Sequence, residues 1–593
     1  MKNIEIPLGK RSGAYRFFEI LPGLCSYGII IVIVLASVFN ALVASLLVLL
    51  VVAVSFAKAL SMAASAIRGM RSLHKAERVD WKYYLADLND PQEALLRYGD
   101  QLINSKAFGA RQHAMNLDML MDMGDYPKPD DIYHVAMIAL YNESYDVIKP
   151  AIDAIAESDY DNDKIIVVVA YEQRGGQAAK DTISQVERDF TGTFCDLLTY
   201  EHPAGVKDEI VGKGANITNA GRRFAEYIKQ KDMDPDNMIV TTLDCDNIVS
   251  PIYFTYLSYE FIVTPNRQHY SFQPVCVFTN NIWDVPAPMR VVATGNSFWN
   301  VISSMRPYSL RNFASHAQGL RALIDMDFWS TRTIVEDGHQ YWRSYFHFDG
   351  DYYVKPLHVT IGQDAVLSDT YPKTLKAQFI QVRRWAYGCS DVPYVAKNLA
   401  RKDCKISFVR GISRFMRLLD AHVSQAYMAV VVAVGGWGPL FLNPQSDKEF
   451  AAHQLPIVIS NVQTVAIIGI LITLLLSFTI LPKRPAQYGR SRNILMVVQW
   501  ILAPITAVVY SAASAYYSQT RLMIGKYMDK FDVTAKYKKE ARTKYPSKQI
   551  VTDDEVAAGK ADGTAAAEDK VASEGKAASE GKAKTADKAA DAA

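Results

Sequence analysis

Two aspartates separated by one residue, in Asp244-Cys245-Asp246, have the spacing of a binding site for a divalent cation. They follow the apolar run from Met238 to Leu243, which predicts a β-strand that ends at the pair. Carboxylates at a strand end can hold Mg²⁺ or Mn²⁺, and such a cation neutralises a pyrophosphate leaving group. Surface turns also produce this spacing, so the prediction depends on the strand before the pair and on the motifs that follow.

A second acidic pair, Glu336-Asp337, stands directly before Gly338. A carboxylate here can act as the general base that takes the proton from an attacking hydroxyl group. Taken alone, an acidic pair before glycine is better explained as a helix N-terminus or a turn. The catalytic interpretation therefore requires the two acidic pairs to meet in the folded chain.

A third motif, Gln381-Val382-Arg383-Arg384-Trp385, lies on a predicted amphipathic helix after Pro372. Arginine binds phosphate oxygens through two parallel hydrogen bonds, and an indole ring offers an apolar face on which a sugar can stack. Near a membrane, the same residues can also serve as an interface anchor. The sequence of this helix alone leaves both interpretations open.

The elements that position these motifs are short apolar runs that alternate with amphipathic stretches between residues 131 and 371. The predicted strands are Tyr133 to Leu140, Ile165 to Ala170, Phe194 to Tyr200 and Met238 to Leu243. Strands that alternate with helices predict a mostly parallel sheet with ligands at the carboxyl ends of the strands. The segment is therefore a predicted α/β domain.

Long apolar segments flank this domain on both sides. No charged residue occurs from Ile20 to Ala57, a length that suits a hairpin of two membrane helices turning near Asn40. A signal peptide explains the run poorly, because the run is too long and lacks a cleavage site. Ala421 to Leu442 and Leu455 to Leu481 are predicted spans. Basic residues before and after the hairpin, and before the later spans, place the α/β domain in the cytosol.

The last apolar run, Ile494 to Tyr517, has two interpretations. If it crossed the bilayer, the basic segment from Arg521 to Lys548 would lie outside, against the charge rule. Gln499, Trp500 and Pro504 interrupt the run. We therefore favour an interfacial or re-entrant helix over a fifth span.

The net charge, the cysteine spacing and the composition of the C-terminal segment say little about function. A net charge of +2 says nothing about partners. The six cysteines lack C-x-x-C spacing, which argues against a disulfide framework and against a zinc site. From Thr552 onward the chain is rich in Ala, Lys, Glu, Asp and Gly without any aromatic residue, so we expect a disordered tail.

In this order, and between membrane segments, the three motifs resemble those of the processive family-2 glycosyltransferases: the cellulose, chitin and hyaluronan synthases. The resemblance covers residues 131 to 540. Tyr141-Asn142-Glu143 is similar to the family's first strand-end motif, which holds the nucleotide, and Gly212-Lys213-Gly214-Ala215-Asn216 is similar to its Lys-containing loop. Phe531-Asp532-Val533-Thr534-Ala535-Lys536 fits the F-x-V-T-x-K pattern of the gating loop in cellulose synthases.

The resemblance implies a role for each site residue. Asp246 and Asp244 would hold Mg²⁺ or Mn²⁺, and Asp337 would be the base, with Glu336 beside it in the catalytic pair. The donor would contact Tyr141, Glu143, Glu172, Lys213, Asp244 and Arg384. The acceptor would contact Gln381 and Trp385, and the gating residues would be Phe531, Val533, Thr534 and Lys536.

Two departures from the family pattern concern the nucleotide and the base. Many relatives carry an Asp-Asp pair after the second strand, whereas this chain has Tyr171-Glu172-Gln173-Arg174, so Glu172 is the expected substitute. Val335 stands where cellulose synthases have threonine, which leaves Asp337 in place.

The predicted fold class is a GT-A-like α/β glycosyltransferase domain inserted between the transmembrane helices of a multi-pass α-helical membrane protein. The predicted segments are a cytosolic N-terminus (1–17), a transmembrane hairpin (18–62), a helical connector (63–130), the glycosyltransferase domain (131–371), interface helices (372–417), transmembrane helices (418–482), an interfacial or re-entrant helix (483–530), a gating-loop-like segment (531–551) and the disordered tail (552–593).

The implied function is processive, inverting polymerisation of a sugar from a nucleotide-sugar, expected to be a UDP-sugar, with passage of the polysaccharide across the plasma membrane. The expected partners are the donor, the growing polysaccharide and the bilayer, and nucleic acid is not among them. One alternative is a transferase of the same fold that adds one sugar to a lipid carrier. A transporter with a nucleotide-sensing domain is the other alternative, which the scarcity of ionisable residues in the spans disfavours.

The topology can be tested by thiol labelling of a variant without the native cysteines. We expect Ser547→Cys to be protected from a membrane-impermeant reagent in intact cells and labelled after permeabilisation, because the basic segment that contains it is predicted to be cytosolic. Ser446→Cys, between the two later spans, is the control and should be labelled in intact cells. Labelling of Ser547→Cys in intact cells would show that Ile494 to Tyr517 crosses the bilayer.

Overall fold

The computed structural model describes residues 4–9, 11–444 and 450–529. The four predicted gating residues, Phe531, Val533, Thr534 and Lys536, lie outside these ranges. All residues predicted for the donor, metal, base and acceptor lie inside them.

A helical hairpin and a group of shorter helices precede the sheet. The helices are α1 (Gly13–Phe39), α2 (Ala41–Ala76), α3 (Trp81–Asp87), α4 (Pro91–Asn104) and α5 (Ala110–Met123). Asn40 is extended between α1 and α2, and its side-chain oxygen accepts the Val43 N–H at 3.0 Å, which caps α2. The turn therefore falls at the predicted residue.

The α/β domain alternates strands and helices. In chain order it contains β1 (Tyr133–Leu140), α6 (Tyr145–Ala156), β2 (Ile165–Glu172), α7 (Gly176–Phe190), β3 (Asp196–His202), α8 (Lys213–Gln230), β4 (Met238–Asp244), β5 (Ile248–Val249), α9 (Tyr253–Ile262), β6 (Tyr270–Val277), α10 (Ala287–Ser304), β7 (Ala317–Gly319), α11 (Leu320–Asp325), α12 (Glu336–His347) and β8 (Tyr353–Gly362). The four predicted strands correspond to β1 to β4.

These strands form one eight-stranded sheet in the order β3-β2-β1-β4-β7-β6-β8-β5. Strands β1 to β4 pair in parallel, as predicted. The other half is mixed, because β7 pairs antiparallel with β4 and β6, and β5 pairs antiparallel with β8. The prediction of a mostly parallel sheet is therefore right for the half that the four apolar runs build, and the whole sheet is mixed.

The central strands are buried on both faces. In β1, Val135 and Met137 pack with α8 residues on one face, while Ala136 and Ile138 join the core on the other face. A strand covered on both sides needs apolar residues at consecutive positions, which explains its continuous apolar run.

The chain after β8 is helical. It contains α13 (Tyr371–Ala386), α14 (Asp391–Leu399), α15 (Phe408–Val434), α16 (Gly438–Leu442), α17 (Phe450–Ile480), α18 (Ser491–Val498), α19 (Ala503–Thr506) and α20 (Ala513–Met523). In the described part of the chain, four helical segments are long and apolar enough to cross a membrane: Gly13–Phe39, Ala41–Ala76, Phe408–Leu442 and Ser491–Met523. Helix α17 also has no Asp, Glu, Lys or Arg over its length.

Close backbone contact joins the membrane hairpin to the α/β domain. A Cβ at Gly69 of α2 would lie 2.6 Å from the Val301 side chain and 2.8 Å from its carbonyl oxygen. Only glycine allows α2 and α10 to approach this closely, so the contact between the two helices requires Gly69. Helix α10 in turn packs on β6.

The start of the segment Ser491–Met523 contacts the α/β domain, and the residues after its end contact the turn that follows α13. Near its start, Arg492 donates a hydrogen bond to the Trp283 carbonyl oxygen at 2.8 Å. Beyond its end, the Met528 N–H donates to the Tyr387 hydroxyl at 3.2 Å, in the turn after α13. A π-helical turn at Ala507–Ala512 interrupts the segment between these two contacts.

Candidate active site

A cleft opens at the carboxyl ends of β1, β2 and β4, where α8, α12 and α13 converge. All eleven residues predicted for the donor, metal, base and acceptor line it: Tyr141, Glu143, Glu172, Lys213, Asp244, Asp246, Glu336, Asp337, Gln381, Arg384 and Trp385. The structure therefore brings together motifs that are spread along the sequence from Tyr141 to Trp385.

The two aspartates after β4 have different surroundings. Asp246 is 7% exposed, and its Oδ2 accepts the Asp364 N–H at 3.0 Å. Its Oδ1 accepts the Asn247 side-chain amide at 3.3 Å. Asp244 is more open and forms an ion pair with Lys213 at 2.6 Å. Backbone and side-chain donors therefore hold Asp246 in place, while Asp244 is paired with the Lys213 side chain.

The two aspartates suit Mg²⁺ or Mn²⁺ if a phosphate supplies further ligands to the cation. The described residues contain no cluster of three or more His, Cys, Asp or Glu side chains that would enclose a metal. Mg²⁺ commonly binds through one or two carboxylates together with substrate phosphates. Asp246 and Asp244 provide such carboxylates at the wall of the cleft.

Lys213 begins α8, so the predicted lysine loop ends as a helix N-terminus. A Cβ at the next residue, Gly214, would lie 2.6 Å from the Ser330 carbonyl oxygen and 2.9 Å from the Glu336 Cβ. Glycine therefore allows α8 to touch the start of α12. Burial opposes the charge of Lys213, but Asp244 and Glu336 raise its pKa. The ammonium group stays charged where a phosphate would bind.

The second acidic pair forms the first turn of α12. Glu336 is 5% exposed, and its Oε2 has no hydrogen-bond partner. Burial, reinforced by Asp337, raises the pKa of Glu336 to about 8. Burial also raises the pKa of Asp337, against the Gly338 N–H that donates to its Oδ1 at 2.7 Å and against Lys213. The pair therefore forms the start of a helix, as the simpler interpretation expects, and this position is compatible with a catalytic role.

A charged network that the sequence did not predict lies at the carboxyl ends of β2 and β3. His202 lies between Glu172 at 3.2 Å and Glu209 at 3.1 Å. Burial opposes its charge, but the two carboxylates raise the pKa of His202 to about 9. Arg174 pairs with Glu172 at 3.2 Å and lies 4.1 Å from the centre of the Tyr141 ring. Glu172 therefore lines the cleft with its carboxylate already held by two cations.

Glu143 has a local structural contact at the edge of the cleft. Its Oε2 accepts the backbone N–H groups of Tyr141 at 2.8 Å and Asn142 at 3.2 Å. These bonds satisfy two backbone donors in the turn after β1. The Glu143 carboxylate thus stabilises the turn at the end of β1.

Helix α13 forms the wall of the cleft that packs against α20. Arg384 lies close enough to Glu336 and Asp337 to act on their charges. Trp385 is 36% exposed, and the centre of its ring is 6.1 Å from the centre of the Phe278 ring. Phe278 and Asp364 follow β6 and β8, two strands that the apolar pattern did not reveal, so both residues were missed. The two aromatic rings make an apolar surface beside the acidic pair.

Comparison with known proteins assigns the class. Residues 239–511 match the model of glycosyl transferase family group 2. The chain therefore contains a family-2 glycosyltransferase domain, and both the predicted enzyme class and the GT-A-like domain between membrane-type helices are confirmed. A search of curated proteins finds no match.

Solved structures resemble the chain weakly. The mannosyltransferase PcManGT from Pyrobaculum calidifontis, in complex with GDP-Man and Mn²⁺, is 15% identical, with a TM-score of 0.34 over 76% of this chain and 98% of that one. S. aureus TarS 1-349, in complex with UDP-GlcNAc, is 11% identical, with a TM-score of 0.33 over 67% of this chain and 93% of that one. At these scores, neither structure informs the choice of donor.

The burial of Glu336 predicts a pH-dependent stability. Its pKa in the fold, about 8, exceeds the ordinary 4.5, so the stability it contributes is complete below pH 4.5 and is lost as pH rises through about 8. Glutamine cannot ionise. We expect the melting temperature of Glu336→Gln, measured without donor or metal, to rise relative to wild type between about pH 5 and about pH 8.5.

The exposed Glu157→Gln substitution is the matched control and should show a constant difference from wild type. If the difference for Glu336→Gln were also constant across this pH range, Glu336 would not be the buried, protonated group described above.

Proposed function

We propose that this protein is a processive, inverting glycosyltransferase that polymerises a sugar from a nucleotide-sugar, expected to be a UDP-sugar, and passes the polysaccharide across the plasma membrane. One observation carries the proposal: the cation-site aspartates, the acidic pair and the Arg384-Trp385 motif share one cleft beside the membrane-type helices. An enzyme that extends a polymer needs donor, base and acceptor sites in contact with an exit route.

In the proposed reaction, the acceptor hydroxyl oxygen attacks the anomeric carbon of the donor sugar. Asp337 takes the hydroxyl proton as the new glycosidic bond forms. The bond from that carbon to the diphosphate oxygen breaks, and its electron pair leaves with the nucleoside diphosphate. Lys213 and Arg384 bind the diphosphate charge, and a divalent cation at Asp246 and Asp244 would neutralise more of it. Trp385 and Gln381 position the acceptor sugar.

The elevated pKa of Asp337 suits this role. A base is most effective when its pKa approaches the operating pH, and burial raises the pKa of Asp337 from the ordinary aspartate range. Glu336, with a pKa of about 8, keeps its proton at neutral pH, so Asp337 is the member of the pair assigned as the base.

Contacts of the last helical segment support an interfacial position for it and a cytosolic gating loop. Ser518 donates a hydrogen bond to the Arg383 carbonyl oxygen at 2.7 Å, so α20 lies along the helix that carries Arg384 and Trp385. Met528 packs with Ile334 and Val335, directly before the acidic pair. Thr534 follows Met528 by six residues, which can span roughly 20 Å of extended chain.

The alternative is transfer of a single sugar to a lipid carrier by the same cleft. Product length separates the two reactions. The purified protein in lipid, given Mn²⁺ and each common nucleotide-sugar with a labelled sugar, should form a high polymer that linkage-specific hydrolases degrade. One labelled glycolipid of fixed size would establish the alternative, and no product with any donor would refute both.

A substitution at the cation site tests the metal assignment. We expect Asp246→Ala to abolish sugar transfer without unfolding the protein, because a ligand at a strand end contributes mainly to metal affinity. Wild-type transfer should be lost to a chelator and restored by Mn²⁺. The exposed Asp122→Ala in α5 is the control and should behave as wild type. Near-normal, chelator-resistant transfer by Asp246→Ala would show that the metal assignment is wrong.

A further inference from the structure

The residues before the first membrane helix are attached to the α/β domain. Ile4 is 5% exposed and joins the apolar cluster of α12, α14 and α15. The Tyr394 hydroxyl donates to the Ile4 carbonyl oxygen at 2.7 Å, and Arg332 donates to the Ile6 carbonyl oxygen at 3.0 Å. Main-chain acceptors on both sides of Glu5 are thus bound, which fixes the position of Glu5 itself.

Glu5 connects two buried parts of the domain. Its carboxylate accepts the Ser330 hydroxyl at 2.9 Å and forms an ion pair with Arg343. Arg343 is 2% exposed, and it also donates to the Met326 carbonyl oxygen at 2.8 Å. Removing the anionic partner of a buried cation is strongly unfavourable. The fold around Arg343 therefore depends on the charge of Glu5.

The two residues that Glu5 contacts flank the acidic pair. Ser330 comes six residues before Glu336, and Arg343 comes six residues after Asp337 in α12. Between Ser330 and the pair, the Thr331 carbonyl oxygen accepts the Ile210 N–H at 2.8 Å. The carbonyl oxygen of Ser330 touches the start of α8 at Gly214. A shift of the loop or of α12 would therefore move the acidic pair relative to Lys213.

We infer that Glu5 is a positioning residue for the sugar transfer proposed above, on which this inference rests. Through Ser330 and Arg343 it holds the loop and the helix on either side of Glu336-Asp337. The segment of residues 4–6 thereby helps to position the acidic pair, although the membrane hairpin separates the two in sequence. It also couples the position of the base to the membrane anchor that begins at Gly13.

Kinetics on the full-length protein in lipid test this inference. We expect Glu5→Gln to lower kcat by roughly tenfold or more with little change in the donor KM, because a small displacement of a reacting group lowers the rate steeply. Glu5→Asp, which keeps the charge, should be nearer to wild type. Glu157→Gln is the control, since Glu157 is exposed and distant from these contacts in sequence.

Hydrogen–deuterium exchange tests the same inference without requiring activity. In Glu5→Gln, exchange should become faster in the peptide that covers residues 330–338 and stay unchanged in β1 to β4. A wild-type kcat in Glu5→Gln, or unchanged exchange in this peptide, would overturn the inference. Faster exchange throughout the domain would also overturn it, because Glu5 would then support the whole fold. If wild type shows no transfer, the proposed function fails, and exchange alone decides the role of Glu5.

Discussion

The ion pair between Lys213 and Asp244 is the interaction on which the site depends most. Acidic residues from β4 and α12 meet in one cleft, and their like charges repel in a partly buried place. The Lys213 ammonium group lies 2.6 Å from Asp244. The charges of Asp244 and Glu336 both raise the pKa of Lys213. Gly214 permits the close approach that puts the lysine there. Without this cation, the strand end and the acidic pair would lose their common counter-charge.

The same cleft is joined to the membrane-type helices by α13. Its Arg384-Trp385 end faces the acidic pair, and its carbonyl groups accept a hydrogen bond from Ser518 of α20. The segment of residues 4–6 contacts α12 through Arg343 and α14 through Tyr394. Segments adjoining the helices that are long and apolar enough to cross a membrane therefore contact both α13 and α12.

The sequence predicted the parts of the fold that have simple patterns. Continuous apolar runs revealed β1, β2 and β4, because strands buried on both faces require them. A shorter apolar run revealed the half-buried edge strand β3. Strands β6 and β8 each contain a proline and polar residues, so their pairing depends on neighbours that the sequence pattern does not reveal. Motif resemblance predicted eleven of the residues that line the cleft, whereas Phe278, Asp364, Arg174, His202 and Glu5 were missed. Their contacts join residues that are adjacent only in the folded chain, such as Glu5 and Arg343.

The assignment of Asp337 as the base is tested most directly by measuring UDP binding and sugar transfer on the same Asp337→Asn preparation. Asparagine keeps the shape of the side chain but cannot accept the proton. We expect UDP affinity to remain near the wild-type value while the transfer rate falls by a factor on the order of 10² or more. A parallel loss of UDP binding, or a transfer rate close to that of wild type, would contradict the assignment.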